Sequence, residues 1–357
     1  MRLDRETWTQ LLRGASLYGC GGGGSYNEAR RTVRRLSRGK AVRLVSPKAK
    51  SAAGLALTVY PVGALSTRPP RKEAEAALRR SLDLYRTLFA RGRSLAGLMP
   101  GEIGPGAVAS CAAACAMLGV PMLDTDVVGG RSVPEITNEL FSVYRRPKTP
   151  IVCGSHRGNH LVLLDVADCD LEERCRSFYQ TEGKNIWVLG YATPVARLAE
   201  FLPIGTVSAC VELGKRMWQK SFDPFTPVFE GTISKVSLAA RGGFDRGTCR
   251  IRGRAGSATI HIKNENMVLQ VGRRAFCTVP DLITVYSKQR RRGLASTELA
   301  PGEDVLVLCA KAHKRWRTAR AVRFFNPRQQ GLDFDVQRLA PRRDLPGGGV
   351  IPPPSAV

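Results

Sequence analysis

The sequence predicts an α/β N-terminal domain with a mostly parallel sheet, followed by a β-rich C-terminal domain with a few helices. Three observations carry that reading. Short apolar runs alternate with helix-period segments through the first half, the pattern of βαβ units. From Phe229 onward, strand-length runs follow one another with only turns between them. The length of 357 residues, 43% of them hydrophobic, exceeds what a single core of usual size organises. The change of pattern sets the expected boundaries at 1–168 and 169–340, with a Pro/Gly-rich tail, 341–357, expected to be disordered.

Along the chain, residues 3–18 read as an amphipathic helix that stops before CGGGGS at 20–25, and a helix with a basic face covers about 26–37. AVRLVS and GLALTVYPVGAL, bounded by Gly and Pro, read as buried strands. A helix at about 71–90 places Ala77, Leu78, Leu82 and Tyr85 on an apolar face. LAGLMP is a strand, GEIGPGA a glycine-rich turn, SCAAACAML a small-residue helix, and VPMLDTD a strand ending in two carboxylates. Ligands of such sheets gather beyond the carboxyl ends of strands, which singles out GEIGPGA and DTDVVGGRSVPE. LEERCRSFYQ is helical, and NIWVLGYATPVARLAEFLP and TVSACVELGKRMWQKS follow it. In the last third, Ala258, Ile260 and Ile262 alternate with Thr259, His261 and Lys263, one set facing in and the other out.

Fifty-five Lys and Arg against thirty Asp and Glu give a formal charge of +25. The basic clusters, at 29–40, 288–293 and 311–323, are interrupted by apolar residues as solvated faces are. Nucleic acid is therefore not expected as the biological partner, although such charge favours non-specific contact with it. No apolar run reaches the ~18–20 residues a membrane span needs. The first residues, with Asp4 and Glu6, read as a helix and not a signal peptide, which predicts a cytoplasmic protein. Ten scattered cysteines without a CxxC pair are expected to be free thiols. Self-association is left open.

Four segments have the residue types of a site. The glycines Gly21, Gly22, Gly23 and Gly24 allow close approach of a ligand, or make a plain turn; no Lys-Ser/Thr and no preceding strand make them a phosphate loop. Glu102, Asp124, Asp126, Arg131 and Glu135 sit on strand-end loops. They can activate water, hold a metal or pair with a polar ring. The alternative makes Asp124 and Asp126 turn or N-cap residues and Arg131–Glu135 a helical ion pair. Cys153, His156 and His160 are zinc-binding types, but Gly154 and Gly158 argue against one helix face presenting both histidines. His261 and His313 stand alone and read as structural.

In their order, CGGGGS, PVGAL, GEIGPGA and GVPMLDTDVVGGRSVPE resemble the N-terminal domain of the S-methyl-thiohydantoin desulfurase family, long catalogued as hydantoinase-like. GTVS, FEGTISKV, GGFDRG, IKNENMVLQV, TVPDLITV and STELAPGEDVLVL resemble its C-terminal domain. The resemblance implies hydrolysis of a C–S bond in a thiohydantoin-type ring, with a hydantoinase-type amidohydrolase or a decayed basic binding protein as alternatives. It further implies Glu102, Asp124, Asp126 and Glu135 as the catalytic set. Gly21–Gly24, Arg131, Asn159, Asn264 and Glu265 would hold the substrate, a divalent metal being left open. On this basis Asp126→Ala is expected to abolish turnover with little change in melting temperature. The chain departs from the family pattern at Pro105-Gly106-Ala107, where Gly-Gly-Asn is usual, at the Gly129-Gly130 pair, and at Val133, where an aromatic is usual.

Overall fold

The computed structural model describes residues 1–36, 41–49, 54–62, 69–241 and 244–340; the tail at 341–357 and part of the PVGAL segment lie outside them. Helix α1 (Arg5–Tyr18) begins where Asp4 accepts the Thr7 amide at 2.8 Å, an N-cap that supplies one of the acceptors a helix start lacks. Then come α2 (Tyr26–Leu36), β1 (Leu44–Val45), β2 (Leu55–Val62), α3 (Arg71–Phe89), β3 (Leu95–Pro100), α4 (Pro105–Leu118) and β4 (Met122–Leu123). After a 3-10 turn at Ile136–Asn138 follow α5 (Leu140–Val143), β5 (Ile151–Gly154), β6 (His160–Leu163), α6 (Asp168–Glu182), β7 (Ile186–Pro194), α7 (Val195–Phe201) and α8 (Thr206–Trp218).

These strands form one sheet in the order β1-β4-β3-β2-β7-β5-β6, parallel from β1 to β2, with β7, β5 and β6 added antiparallel. Period-2 alternation splits its side chains between two cores. Leu55, Leu57 and Val59 of β2 pack under α1–α4, while Ala56 and Tyr60 face the layer of α5–α7. β7 comes from the second half of the sequence yet sits between β2 and β5. Its near-continuous apolar run, IWVLGYATP, suits a strand covered on both faces.

The remainder is an all-antiparallel sheet in the order β12-β11-β10-β9-β8-β15-β13-β14. It comprises β8 (Thr226–Arg241), β9 (Phe244–Gly253), β10 (Gly256–Lys263), β11 (Glu265–Val271), β12 (Arg274–Thr278), β13 (Leu282–Ser287), β14 (Arg292–Gly293) and β15 (Asp304–Ala310), followed by the short α9 (Ala319–Phe324). Ala258, Ile260 and Ile262 are buried in its core, as the alternation predicts. Lys263 departs from the outward set: it is buried, for a reason given by the site.

Helix α1 lies against α8, and glycines set their separation. A methyl group added at Gly14 would stand 1.9 Å from the Cys210 carbonyl oxygen, and one at Gly214 1.9 Å from that of Gln10. Backbone faces backbone here, so neither position can relax by a rotamer change. Gly14→Ala is therefore expected to destabilise the protein by about 1–3 kcal/mol, as overpacking does, read as a fall in melting temperature. An unchanged melting temperature would contradict this packing. Among the described residues, no helix is long and apolar enough to cross a membrane.

Candidate functional site

Three turns meet beside the first sheet. The glycine turn after α1 runs under the loop that follows β3, close enough that a Cβ on Gly22 would be 2.0 Å from Glu265 Oε1 and one on Gly23 2.4 Å from the Gly104 Cα. The Gly23 carbonyl accepts the Gly106 and Ala107 amides at 2.8 and 3.1 Å, capping the start of α4. The tight turn between β10 and β11 is made by Asn264, whose φ of 57° suits an asparagine. It sends Lys263 and Glu265 to different partners. These turns enclose a cavity of about 620 Å³ whose walls include Gly23, Gly24, Glu102, Glu135, Asn264 and Glu265. A second hollow of about 400 Å³ shares Pro61, Ser110 and Asn185 with it and is rimmed by Arg35, Arg71 and Arg79.

Behind the cavity wall the buried Ser132 hydroxyl lies between two carboxyl groups that line it, 2.6 Å from Glu102 Oε2 and 2.8 Å from Glu265 Oε1. A hydroxyl has one proton to donate, so both contacts can be hydrogen bonds only if one carboxyl is protonated and donates to Ser132 in turn. Burial pushes Glu265 up to about 8, with the charge of Glu102 adding to it. Burial likewise pushes Glu102 up to about 7, against the bonds it accepts from Ser132 and from the Val133 amide at 3.2 Å. The arrangement is then Glu265 carboxylic acid to Ser132 to Glu102 carboxylate, one proton held by two acids near neutral pH. Glu265 Oε2 is buried and has no hydrogen-bond partner.

Around this pair, Glu135 accepts from Lys263 Nζ, which also donates to Gln330 Oε1 at 2.9 Å. That pairing is why Lys263 is buried. Further along the wall, Glu139 accepts from the Tyr191 hydroxyl at 3.0 Å and pairs with the fully buried Lys148 at 3.3 Å. Burial lifts Glu139 to about 7 although Lys148 opposes it.

The structure separates the remaining candidates from the cavity. Asp124 caps α8, accepting the Val207 and Ser208 amides at 3.0 and 2.8 Å. Asp126 is fully buried and accepts the amides of Val128, Gly129 and Gly130 at 3.1, 2.7 and 2.9 Å. Both carboxylates are spent on backbone, the turn and cap roles the residue types also allowed. Gly129 and Gly130, with φ of 97° and 91°, let the loop curl around Asp126. Arg131 does not pair with Glu135. Its buried guanidinium donates to the Pro280 carbonyl and stacks 4.6 Å from the Phe325 ring, behind the cavity. Asn159 donates to Glu182 at 2.9 Å on the β5–β6 hairpin, and Gly21 and Gly22 support Asn266 and Glu265 without bordering the cavity.

Nor do the cysteine and histidines form a metal centre. Cys153 on β5 turns its Sγ to that of Cys175 on α6, 3.6 Å away. Among the described residues no three His, Cys, Asp or Glu side chains converge as a metal would need, the cavity acids included.

Four site residues were not singled out from the sequence: Glu139 and Asp245 line the cavity, while Ser132 and Lys263 stand behind its wall, bonded to Glu102, Glu265 and Glu135. Ser132 lies between two residues that were singled out, Arg131 and Glu135, and Lys263 adjoins Asn264. A polar residue flanked by candidates was the available signal. Lys148, in an exposed-looking RRPKTP stretch, offered none.

Residues 6–165 match the S-Me-THD-like N-terminal domain and residues 166–339 the S-Me-THD-like C-terminal domain. No curated protein matches the chain. Among solved structures, a crystal structure of a protein from Chromobacterium violaceum is similar, with a TM-score of 0.79 over 96% of this chain and 99% of that one, at 19% identity, a likeness that shows a shared fold. Matched by both domain families across nearly its whole length, the chain belongs to the S-Me-THD-like family.

Proposed function

We propose that the chain is a hydrolase of small cyclic amides, cleaving the C–S bond of an S-methyl-thiohydantoin-type ring to give a hydantoin and a thiol. The observation that carries this is the Glu265–Ser132–Glu102 chain, which offers an acid and a base on one cavity wall. Family membership supports the ring chemistry. Glu265 gives its proton to the ring nitrogen, water adds to the sulfur-bearing carbon of the protonated ring, and Glu102 takes one proton of that water, the other staying on the adduct's hydroxyl. The tetrahedral adduct then collapses: its hydroxyl returns a proton to Glu265, the C–S bond breaks, and Glu102 passes its proton to the departing sulfur. One C–O bond forms, one C–S bond breaks, and both carboxyl groups end as they began. Ala107 and Val133, the two departures from the family pattern that border the cavity, present smaller side chains there than an amide and an aromatic would.

The mechanism needs Glu102 ionised and Glu265 protonated. The rate with an S-methyl-thiohydantoin, followed by thiol release, is thus expected to rise as pH passes about 7 and fall beyond about 8. Glu265→Gln, which still donates to Ser132 but does not titrate, is expected to remove the alkaline limb from whatever activity it retains. A rate flat from pH 6 to pH 9, or ring opening of hydantoin without thiol release, would defeat this reading.

A further inference from the structure

Although the molecule carries a formal charge of +25, its main cavity is walled by six carboxyl groups and a single arginine. Three of the acids have cations of their own: Glu135 has Lys263, Glu139 has Lys148 and Glu172 has Arg176. Glu102, Glu265 and Asp245 have no ion-pair partner among the described residues. With one proton held between Glu102 and Glu265, this trio keeps two negative charges. The buried Glu265 Oε2, in a residue only 3% exposed, has no donor at all. An orphaned buried acceptor costs about 1–3 kcal/mol, a cost removed when a ligand supplies the N–H. Six carboxyl groups against one guanidinium leave this cavity with an excess of anionic acceptors.

Resting on the hydrolase reading above, we infer that the cavity takes its substrate as an amidinium-type cation, a ring protonated across its N–C–N unit, and that guanidines and amidines are ligands of the same site. The proton that Glu265 holds passes to the ring nitrogen on binding and leaves an ion pair in its place. An amidinium directs N–H groups outward in one plane and concentrates positive charge on the carbon that water attacks. Charge-assisted bonds from such donors to carboxylate oxygens are the strong ones. A neutral urea of the same shape brings N–H groups without the positive charge, so its bonds to the same carboxylates are the weaker kind. Non-specific attraction does not supply this preference, because the molecule as a whole repels cations.

The test compares methylguanidine with methylurea as ligands of the full chain by calorimetry, and as inhibitors of thiol release. Methylguanidine is expected to bind at least about tenfold more tightly, a difference of about 1.4 kcal/mol, and to compete with substrate. Asp245→Asn and Glu265→Gln are each expected to reduce that preference severalfold. Equal affinities for the two probes overturn the inference, as does a preference unmoved by both substitutions, which would place the cation elsewhere. The two readings fail separately. Preference for methylguanidine without any thiol release keeps the cation site and removes the hydrolase, whereas thiol release without preference does the reverse.

Discussion

Glu102→Gln is expected to lower kcat for thiol release by about 10²–10⁴, the usual contribution of a positioned general base, with KM changed far less. The amide is nearly the same shape, and its oxygen can still accept from Ser132 and the Val133 amide, so the loop has no reason to move. Stability provides a second readout with a definite sign. Burial holds Glu102 at about 7, above the ordinary 4.5, so between those values the folded state binds more protons than the unfolded one. The wild type therefore loses stability as pH rises through that window, and the loss is complete above about 7. Glutamine does not titrate. The variant is expected to match the wild type near pH 4 and to exceed it by an amount on the order of 1–3 kcal/mol at pH 8, measured by denaturant titration. A gain in stability joined to a loss of rate is the signature of a strained functional carboxyl, which a purely structural glutamate does not give. Wild-type turnover in this variant would remove Glu102 from the mechanism.

The sequence made most of the architecture legible because local pattern and tertiary environment agree there. LAGLMP is β3 residue for residue, and the Ala258-Ile260-Ile262 alternation is the buried face of β10. It gave no indication that β7 crosses back between β2 and β5, since an apolar run records burial on both faces but not its neighbours. At the site, the loops and three of the five candidate acids were legible in the sequence. Glu102, Glu135, Asn264 and Glu265 share one cavity, whereas Asp124 and Asp126 face the backbone. What separates the two groups is the direction of each side chain. That direction depends on whether unpaired amides lie within reach: α8 begins beside Asp124, eighty residues on in the chain, and nothing local announces it. Ser132 illustrates the reverse. A serine is unremarkable in a sequence, and only the meeting of two carboxyl groups from distant segments makes it the link of a proton chain.

The same geometry reverses the outcome expected for Asp126. Its buried carboxylate is the acceptor for three successive amides, those of Val128, Gly129 and Gly130. Alanine leaves all three donors without a partner. At about 1–3 kcal/mol for each buried unsatisfied group, and with water reaching some of them after relaxation, Asp126→Ala is expected to cost about 3–6 kcal/mol. For a protein of ordinary stability, near 5–15 kcal/mol, that is a large part of the whole. Asp126→Asn retains one oxygen and is expected to cost less than half as much. Activity falls in both variants by a different route from Glu102→Gln: the loop that Asp126 ties down continues into Ser132 and Val133, and its loosening lengthens the hydrogen bonds that join Glu102 to Glu265. The loss of rate in the Asn variant is accordingly expected to track its loss of stability and to shrink on cooling. A melting temperature within a few degrees of wild type in Asp126→Ala, with turnover abolished, would instead return Asp126 to the chemistry and show that the three amides find other acceptors.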